Sequence, residues 1–111
     1  MFEAALAEWS ARGRRDQILA ARWAIARCLR SLERFADALT ILRELEAEHA
    51  AQGTADGTVF EEIAENLAAL GKPEQAKPYF GKAFAELSKD DWVVQNEAAR
   101  LARLESRTRE G

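Results

Sequence analysis

The sequence of residues 65–87 is ENLAALGKPEQAKPYFGKAFAEL. Two segments with apolar residues at helical spacing lie on either side of a Gly-Lys-Pro junction at residues 71–73. Glycine commonly follows the end of a helix, and proline is favoured in the first turn of the next one. A junction this short makes the two helices lie side by side and run antiparallel. This stretch therefore predicts a helical hairpin.

The same apolar pattern recurs before and after this hairpin. A shift of 38 residues aligns pairs of matching character: Ile25/Ile63, Ala26/Ala64, Leu29/Leu67, Leu32/Leu70, Ala38/Ala76, Leu42/Phe80 and Leu45/Ala83. A shift of 34 residues aligns Phe60/Val94, Ala64/Ala98, Leu67/Leu101 and Leu70/Leu104. Self-similarity at such a period is typical of helical repeat proteins.

Apolar periodicity over the whole chain predicts about six helices, at residues 2–11, 16–32, 35–52, 58–70, 74–87 and 91–106. Gly13 is expected to end the first helix and Asp16 to cap the second. The predicted inward stripe of the second helix is Ile18, Ile25, Leu29 and Leu32, and that of the sixth is Val94, Ala98, Leu101 and Leu104. Pro78 should kink the fifth helix or delay its start, and should face solvent.

These positions resemble the tetratricopeptide repeat family, whose unit is a helix–turn–helix of about 34 residues. The second copy follows the family's pattern of large and small residues at Phe60, Ile63, Ala64, Leu67, Gly71, Ala76, Phe80 and Ala83. The earlier copy departs from it, with Arg22 at a position for a large residue and Glu33 where glycine is usual. Ser88 stands where the second copy would have its usual proline. The resemblance covers residues 16–105.

The resemblance implies an all-α fold, a right-handed stack of antiparallel helical hairpins in a single domain over residues 1–111. On this alignment the chain opens with a lone B-type helix at residues 2–11. Repeats follow at residues 16–52 and 57–88, and a lone A-type capping helix at residues 91–106 closes the stack.

Composition favours the same fold class and a place in the cytoplasm. Alanine occurs 23 times, next to many Leu, Glu and Arg residues, all strong helix formers. The net charge of −3 argues against a general nucleic-acid binder, although residues 1–35 carry +3 and residues 36–90 carry −6. Cys28 is the only cysteine, which fits a reducing compartment. No apolar run approaches the ~20 residues of a membrane span, and no secretory signal is expected.

The residues that could carry catalysis are few, so we expect no enzyme, no cofactor and no metal site. His49 is the only histidine and has no second ligand of suitable spacing. Cys28 is expected to be an inert packing residue. The acidic residues Glu61, Glu62 and Glu65 are expected to form a solvated face, with a metal site as the less favoured alternative.

The resemblance also implies a binding surface on the concave side of the A helices. The family's positions fall on Ala20, Trp23, Ala24, Arg27, Arg30 and Ser31, on Thr58, Glu61, Glu62, Glu65, Ala68 and Ala69, and on Trp92, Gln95, Asn96, Ala99 and Arg103. The predicted groove consists of Trp23, Arg27, Arg30, Glu61, Glu62, Glu65, Gln95 and Asn96. For Trp23 the alternative is core packing, and Arg27 and Glu65 could pair with each other.

The leading functional hypothesis is a non-catalytic scaffold that binds a protein or a peptide in this groove. The alternative is a structural module that forms a homodimer through its uncovered terminal helices. In that case Val94, Leu101 and Leu104 of the sixth helix would supply the contact. Neither a nucleic acid nor a membrane is an expected partner.

Overall fold

The computed structural model describes the backbone of residues 2–109 and the side chains of residues 13–109. Within this range the chain is all-helical and contains no strand, so the predicted all-α class is confirmed. The helices are α1 Phe2–Ser31, α2 Phe35–Ala51, α3 Gly57–Ala69, α4 Pro73–Leu87, α5 Asp91–Asn96 and α6 Ala98–Arg109. None of the described helices is both long and apolar enough to cross a membrane.

The predicted break at Gly13 is wrong, because α1 runs without interruption from Phe2 to Ser31. A glycine inside a helix costs only about 1 kcal/mol relative to alanine. The residues around Gly13 are Ala and Arg, which favour the helix strongly enough to offset that cost. The separate helix predicted at residues 2–11 is therefore the first part of α1, and its side chains lie outside the described residues. Asp16 lies inside α1 and caps nothing.

The glycines that do interrupt the chain have left-handed backbone conformations. Gly53 has φ 71° and follows α2, and Gly71 has φ 76° and follows α3. After Gly71, the amide of Lys72 donates to the carbonyl of Leu67 at 2.9 Å, which closes the end of α3. Gly71 thus makes the turn that was predicted between α3 and α4. Glu33 takes the same kind of conformation, with φ 60°, between α1 and α2.

The predicted sixth helix is divided at Glu97, whose φ of −128° and ψ of 42° are not helical. The side chain of Asn96 donates to the carbonyl of Trp92 at 2.9 Å, and such local bonds compete with helix continuation. The carboxylate of Glu97 accepts a bond of 2.6 Å from Arg100 in the first turn of α6. α6 then continues to Arg109, three residues beyond the predicted end at residue 106.

Pro78 lies inside α4 and is exposed to solvent, as predicted. The predicted delay of the helix start is wrong, because α4 begins at Pro73. The amide of Ala76 already donates to the carbonyl of Lys72 at 3.0 Å, so the first turn forms without Pro78.

Most consecutive helices pack on one another, with α1 on α2, α2 on α3, α3 on α4 and α5 on α6. α4 also packs on α6, and α1 touches α3. One hydrophobic core runs through these contacts. Its fully enclosed large side chains are Leu42, Leu45, Ile63, Leu67, Phe80 and Leu104. The small residues Ala26, Ala38, Ala64 and Ala83 have no exposed surface, so they let neighbouring helices approach closely.

Two of the predicted inward stripes are wrong in part, although Leu29 and Leu101 do pack against the core. In α1 the core residues are Leu19 and Ala26, whereas Ile18, Ile25 and Leu32 are 53%, 52% and 68% exposed. α1 carries apolar residues on two faces, and periodicity alone fits either of them. In α5 the buried residue is Val93, and Val94 is exposed. Leu104 of α6 is buried as predicted.

Candidate binding surface

A cleft opens between α1, the end of α2 and the start of α3. One cavity of about 320 Å³ is lined by Asp16, Leu19, Ala20, Trp23, Leu45, His49, Asp56, Thr58 and Val59. A second cavity of about 510 Å³ shares Asp16, Leu19 and His49 with the first and continues to Trp92 on α5. We call these two connected cavities the central cleft.

Trp23 lies in the wall of the central cleft and is half-buried. Its ring packs against the hydrophobic core on one side, and the guanidinium of Arg27 lies 5.7 Å from the ring centroid. The indole Nε1 is buried and has no hydrogen-bond partner among the described residues. An indole N–H is a donor that normally finds an acceptor when it is withdrawn from water. Trp23 is therefore partly core and partly cleft, which combines the two predicted alternatives.

The mouth of the central cleft is acidic. Asp56 caps α3 by accepting from the amide of Thr58 at 2.9 Å and from its hydroxyl at 2.6 Å. His49 lies beside it, with Nε2 3.9 Å from the Asp56 carboxylate and Nδ1 3.0 Å from the hydroxyl of Thr54. Asp16, Glu86 and Asp90 complete the acidic lining, and Arg100 is the one arginine among the lining residues.

Beside the cleft, arginine and glutamate side chains join α1, α3 and α6. Arg30 of α1 binds Glu62 of α3 through two bonds, Nε to Oε2 at 2.6 Å and Nη2 to Oε1 at 3.0 Å. Glu62 is only 2% exposed, so this carboxylate depends on Arg30 for its charge partner. The expectation of a solvated acidic face is wrong for Glu62.

The two other glutamates of this group bind arginines of α6. Arg100 donates to both carboxylate oxygens of Glu61, at 2.5 and 3.1 Å, and also to Glu97 at 2.6 Å. Arg103 donates to Glu65 at 2.6 Å. We call the three pairs Arg30–Glu62, Arg100–Glu61 and Arg103–Glu65 the arginine–glutamate ladder. A cavity of about 260 Å³ lies among them and is also lined by Arg27.

The ladder shifts the titration of its arginines. The bonds to Glu62 raise the pKa of Arg30 above its ordinary value, and the bonds to Glu61 and Glu97 raise the pKa of Arg100, with burial opposing both shifts. Both guanidinium groups therefore stay charged throughout the range in which a protein is normally handled. The geometry binds three helices together and leaves little free charge for a ligand.

The structure brings together most of the predicted groove. Trp23, Arg27, Arg30 and the three glutamates of α3 lie on adjoining surfaces. The predicted alternative pair Arg27–Glu65 does not form, because Glu65 binds Arg103 and Arg27 lies over Trp23. Gln95 and Asn96 do not join them. They are exposed on α5 and line neither the ladder cavity nor the central cleft.

Sequence reasoning missed several residues of this surface. Leu19 and Val59 line the central cleft, but an apolar residue in a helix is equally well explained by the core. Arg100 was missed because its contact with Glu61 depends on the helix break at Glu97. Neither a proline nor a glycine marks that break in the sequence. The one sequence feature that could have indicated the acidic mouth of the cleft is Asp56, the N-cap residue directly before α3.

The remaining candidates for chemistry are Cys28 and a metal site. Cys28 is exposed on α1, so the expectation that it packs in the interior is wrong. Among the described residues, no group of three or more His, Cys, Asp and Glu side chains is arranged to hold a metal ion.

No family model, curated protein or solved structure matches the chain. Any functional inference therefore has to come from the central cleft, the ladder and the exposed faces of the helices.

Proposed function

We propose that the chain is a non-catalytic scaffold that binds an extended segment of another protein in the central cleft. We further propose that its helices form a right-handed stack of hairpins like that of tetratricopeptide repeat proteins. The packing of consecutive helices supports this arrangement, as does the complete burial of Ala64 and Ala83 at family positions for small residues. A cytoplasmic location is part of the same proposal.

The observation that carries the proposal is the unpaired indole N–H of Trp23 in the wall of the cleft. Nε1 is buried in the unbound protein, so binding turns the indole until Nε1 reaches the surface of the cleft, where a carbonyl of an extended peptide backbone supplies the acceptor that this donor lacks among the described residues. Leu19 and Val59 offer apolar contact beside it. Aromatic anchors at the centre of an interface usually carry much of the binding energy.

The charges that line the central cleft indicate the charge of the peptide segment that binds there. The lining includes Asp16, Asp56, Glu86 and Asp90, with Arg100 as its arginine. Arg100 is already held by two glutamates and Glu86 is paired with Lys89, so the remaining acids of the lining are Asp16, Asp56 and Asp90. The cleft therefore suits a segment with one large apolar side chain flanked by Lys or Arg. The arginines and glutamates of the ladder pair with one another. They therefore do not offer the basic edge and the acidic edge that would bind a segment carrying both charges.

The test uses two variants of Trp23 and a panel of labelled peptides. Each peptide carries one Leu, Phe or Trp flanked either by Lys and Arg or by Glu. We expect the basic peptides to bind the wild-type protein and the acidic ones to bind much more weakly. Trp23→Phe keeps one aromatic ring and removes the N–H with the rest of the pyrrole ring, so peptide affinity should fall about tenfold, the equivalent of one hydrogen bond, with a smaller loss of melting temperature than Trp23→Ala causes.

Trp23→Ala should abolish binding, but it also removes core contact and is expected to cost about 3–5 kcal/mol of stability. Trp23→Phe is therefore the decisive variant, and Arg43→Ala, at an exposed position of α2, is the matched control. If no basic peptide binds the wild-type protein, or if Trp23→Phe binds as tightly as the control, Trp23 is a core residue only and the proposal is wrong.

A further inference from the structure

The outward face of α1 is apolar and uncharged over more than three turns. Four residues of α1, Ile18, Ala21, Ile25 and Cys28, and Leu32 directly after its end follow one another at steps of three and four residues, and all five are exposed. We call them the α1 stripe. Ala24 and Ser31 lie along one edge of the stripe and add no charge, and Arg22, one turn after Ile18, lies along the other edge. Three of its large side chains are more than half exposed.

Nothing in the described part of the chain covers the stripe, because other faces of α1 make the contacts within the protein. Leu19 and Ala26 face the core. Arg22 binds Glu48 of α2 at 2.9 Å, and Arg30 binds Glu62 of α3. A continuous exposed apolar face of this length usually marks an interaction surface.

The spacing of the stripe specifies the shape of its partner. Apolar residues at alternating steps of three and four form the seam of a coiled coil, in which a second helix packs along the first. The β-branched or leucine residues at 18, 25 and 32 are the large members of the seam, and the small residues at 21 and 28 lie between them. A second helix with the same pattern fits this surface.

We propose that the α1 stripe is the interface of a homodimer in which the α1 helices of two copies pack antiparallel about a two-fold axis at Ile25. A symmetric interface uses the same patch on both copies. Ile25 is the middle of the stripe, so the axis places it against Ile25 of the second copy. Ile18 then lies opposite Leu32 of the second copy, so the start of each stripe contacts the end of the other.

Charge complementarity selects the antiparallel orientation. Arg14 and Arg15 lie just before the stripe, Glu33 lies just after it, and their side chains have no hydrogen-bond or ion-pair partner within the described residues. In the antiparallel dimer the two arginines of each copy lie near Glu33 of the other, whereas Asp37 on α2 is already paired with Arg34 of its own chain. A parallel dimer would instead bring arginines next to arginines at one end, and like charges in contact repel.

The dimer interface and the central cleft lie on different sides of α1. Leu19 and Trp23 line the cleft and pack against the core, whereas the stripe faces away from both. The dimer therefore presents two open clefts. Dimerisation does not depend on the proposed peptide binding, and each can fail without the other.

The first test measures molecular mass by analytical ultracentrifugation over a range of protein concentrations. The wild-type protein should be a dimer that dissociates on dilution. Ile25→Lys places two charges at the axis, so the dissociation constant should rise about a hundredfold or more. Val94→Lys is the matched control, because it introduces the same charge at a similarly exposed valine of α5 and should leave the dimer intact.

The second test fixes the orientation by disulfide formation with oxidised glutathione. In a Cys28→Ser background, Ile25→Cys places two thiols at the axis and should give a covalent dimer rapidly. The wild-type protein should cross-link slowly through Cys28, which lies opposite Arg22 of the second copy. Faster cross-linking through Cys28 would overturn the antiparallel orientation. A wild-type protein that stays monomeric, or Ile25→Lys that dimerises like Val94→Lys, would overturn the interface itself. Circular dichroism of each variant checks that it is folded.

Discussion

At the scale of single residues, Glu62 shows how an acid can be part of a helical interior. It lies on α3 with 2% of its surface exposed, and its carboxylate has both oxygens bound by Arg30. A buried charge without a partner is strongly unfavourable, so the bidentate contact is what makes burial tolerable. The raised pKa of Arg30 has the same cause. Because a raised pKa stabilises the fold below the ordinary value of a basic group, this contribution is present at all ordinary pH values and is lost only in strong alkali.

Arg30→Met should therefore lower the free energy of unfolding by about 3 kcal/mol, because it leaves Glu62 buried without a partner. Adding Glu62→Gln to the same chain should recover part of that loss, since the buried group is then neutral. Urea unfolding followed by circular dichroism measures both variants. Arg43→Met, at an exposed arginine of α2, is the control. Equal stability of Arg30→Met and Arg43→Met would show that the bond contributes nothing.

At the scale of elements, α1 and α6 differ from the helices that periodicity predicts. α1 continues through Gly13, where a break was predicted, and the predicted last helix is interrupted at Glu97. In the first case the surrounding helix formers outweigh a single glycine. In the second, side-chain bonds of Asn96 and Glu97 replace helix continuation, and Arg100 reaches both Glu61 and Glu97.

The continuity of α1 predicts that Gly13→Ala stabilises the protein. Alanine favours a helix interior by about 1 kcal/mol over glycine, and a methyl group at this position meets no atom within 4 Å. Gly71→Ala should do the opposite, because Gly71 has a φ of 76° that alanine adopts only with strain. Thermal unfolding of both variants measures the difference. A lower melting temperature for Gly13→Ala would mean that the helix ends at Gly13 after all.

At the scale of the whole molecule, one core and one ladder connect the first helix to the last. Leu19 of α1 and Leu104 of α6 belong to the same buried cluster. The ladder joins the same two helices through glutamates of α3. A protein of this size that shares one core is expected to unfold in a single cooperative transition.

Leu104→Ala tests this cooperativity, since Leu104 has no exposed surface. We expect the free energy of unfolding to fall by about 2–5 kcal/mol, the usual cost of removing a buried leucine side chain. Circular dichroism and tryptophan fluorescence should report the same lowered transition. Val94→Ala, at an exposed position of α5, should leave it nearly unchanged. Separate transitions for the two probes would show that α6 unfolds independently of the rest.

The sequence by itself determined the all-α class, the bounds of α2, α3 and α4 to within a residue or two, and the turn at Gly71, because these follow from local preferences and from periodicity. It also brought Trp23, Arg30 and Glu62 into one predicted surface.

Only the tertiary structure decided which face of α1 is buried, because Leu19 and Ile18 fit helical spacing equally well and the choice depends on what α2 and α3 present. It also decided that Glu62 lies inside the protein, since the partner that makes its burial possible is 32 residues away in the chain. The central cleft arises in the same way, from residues of six helices that no local pattern links.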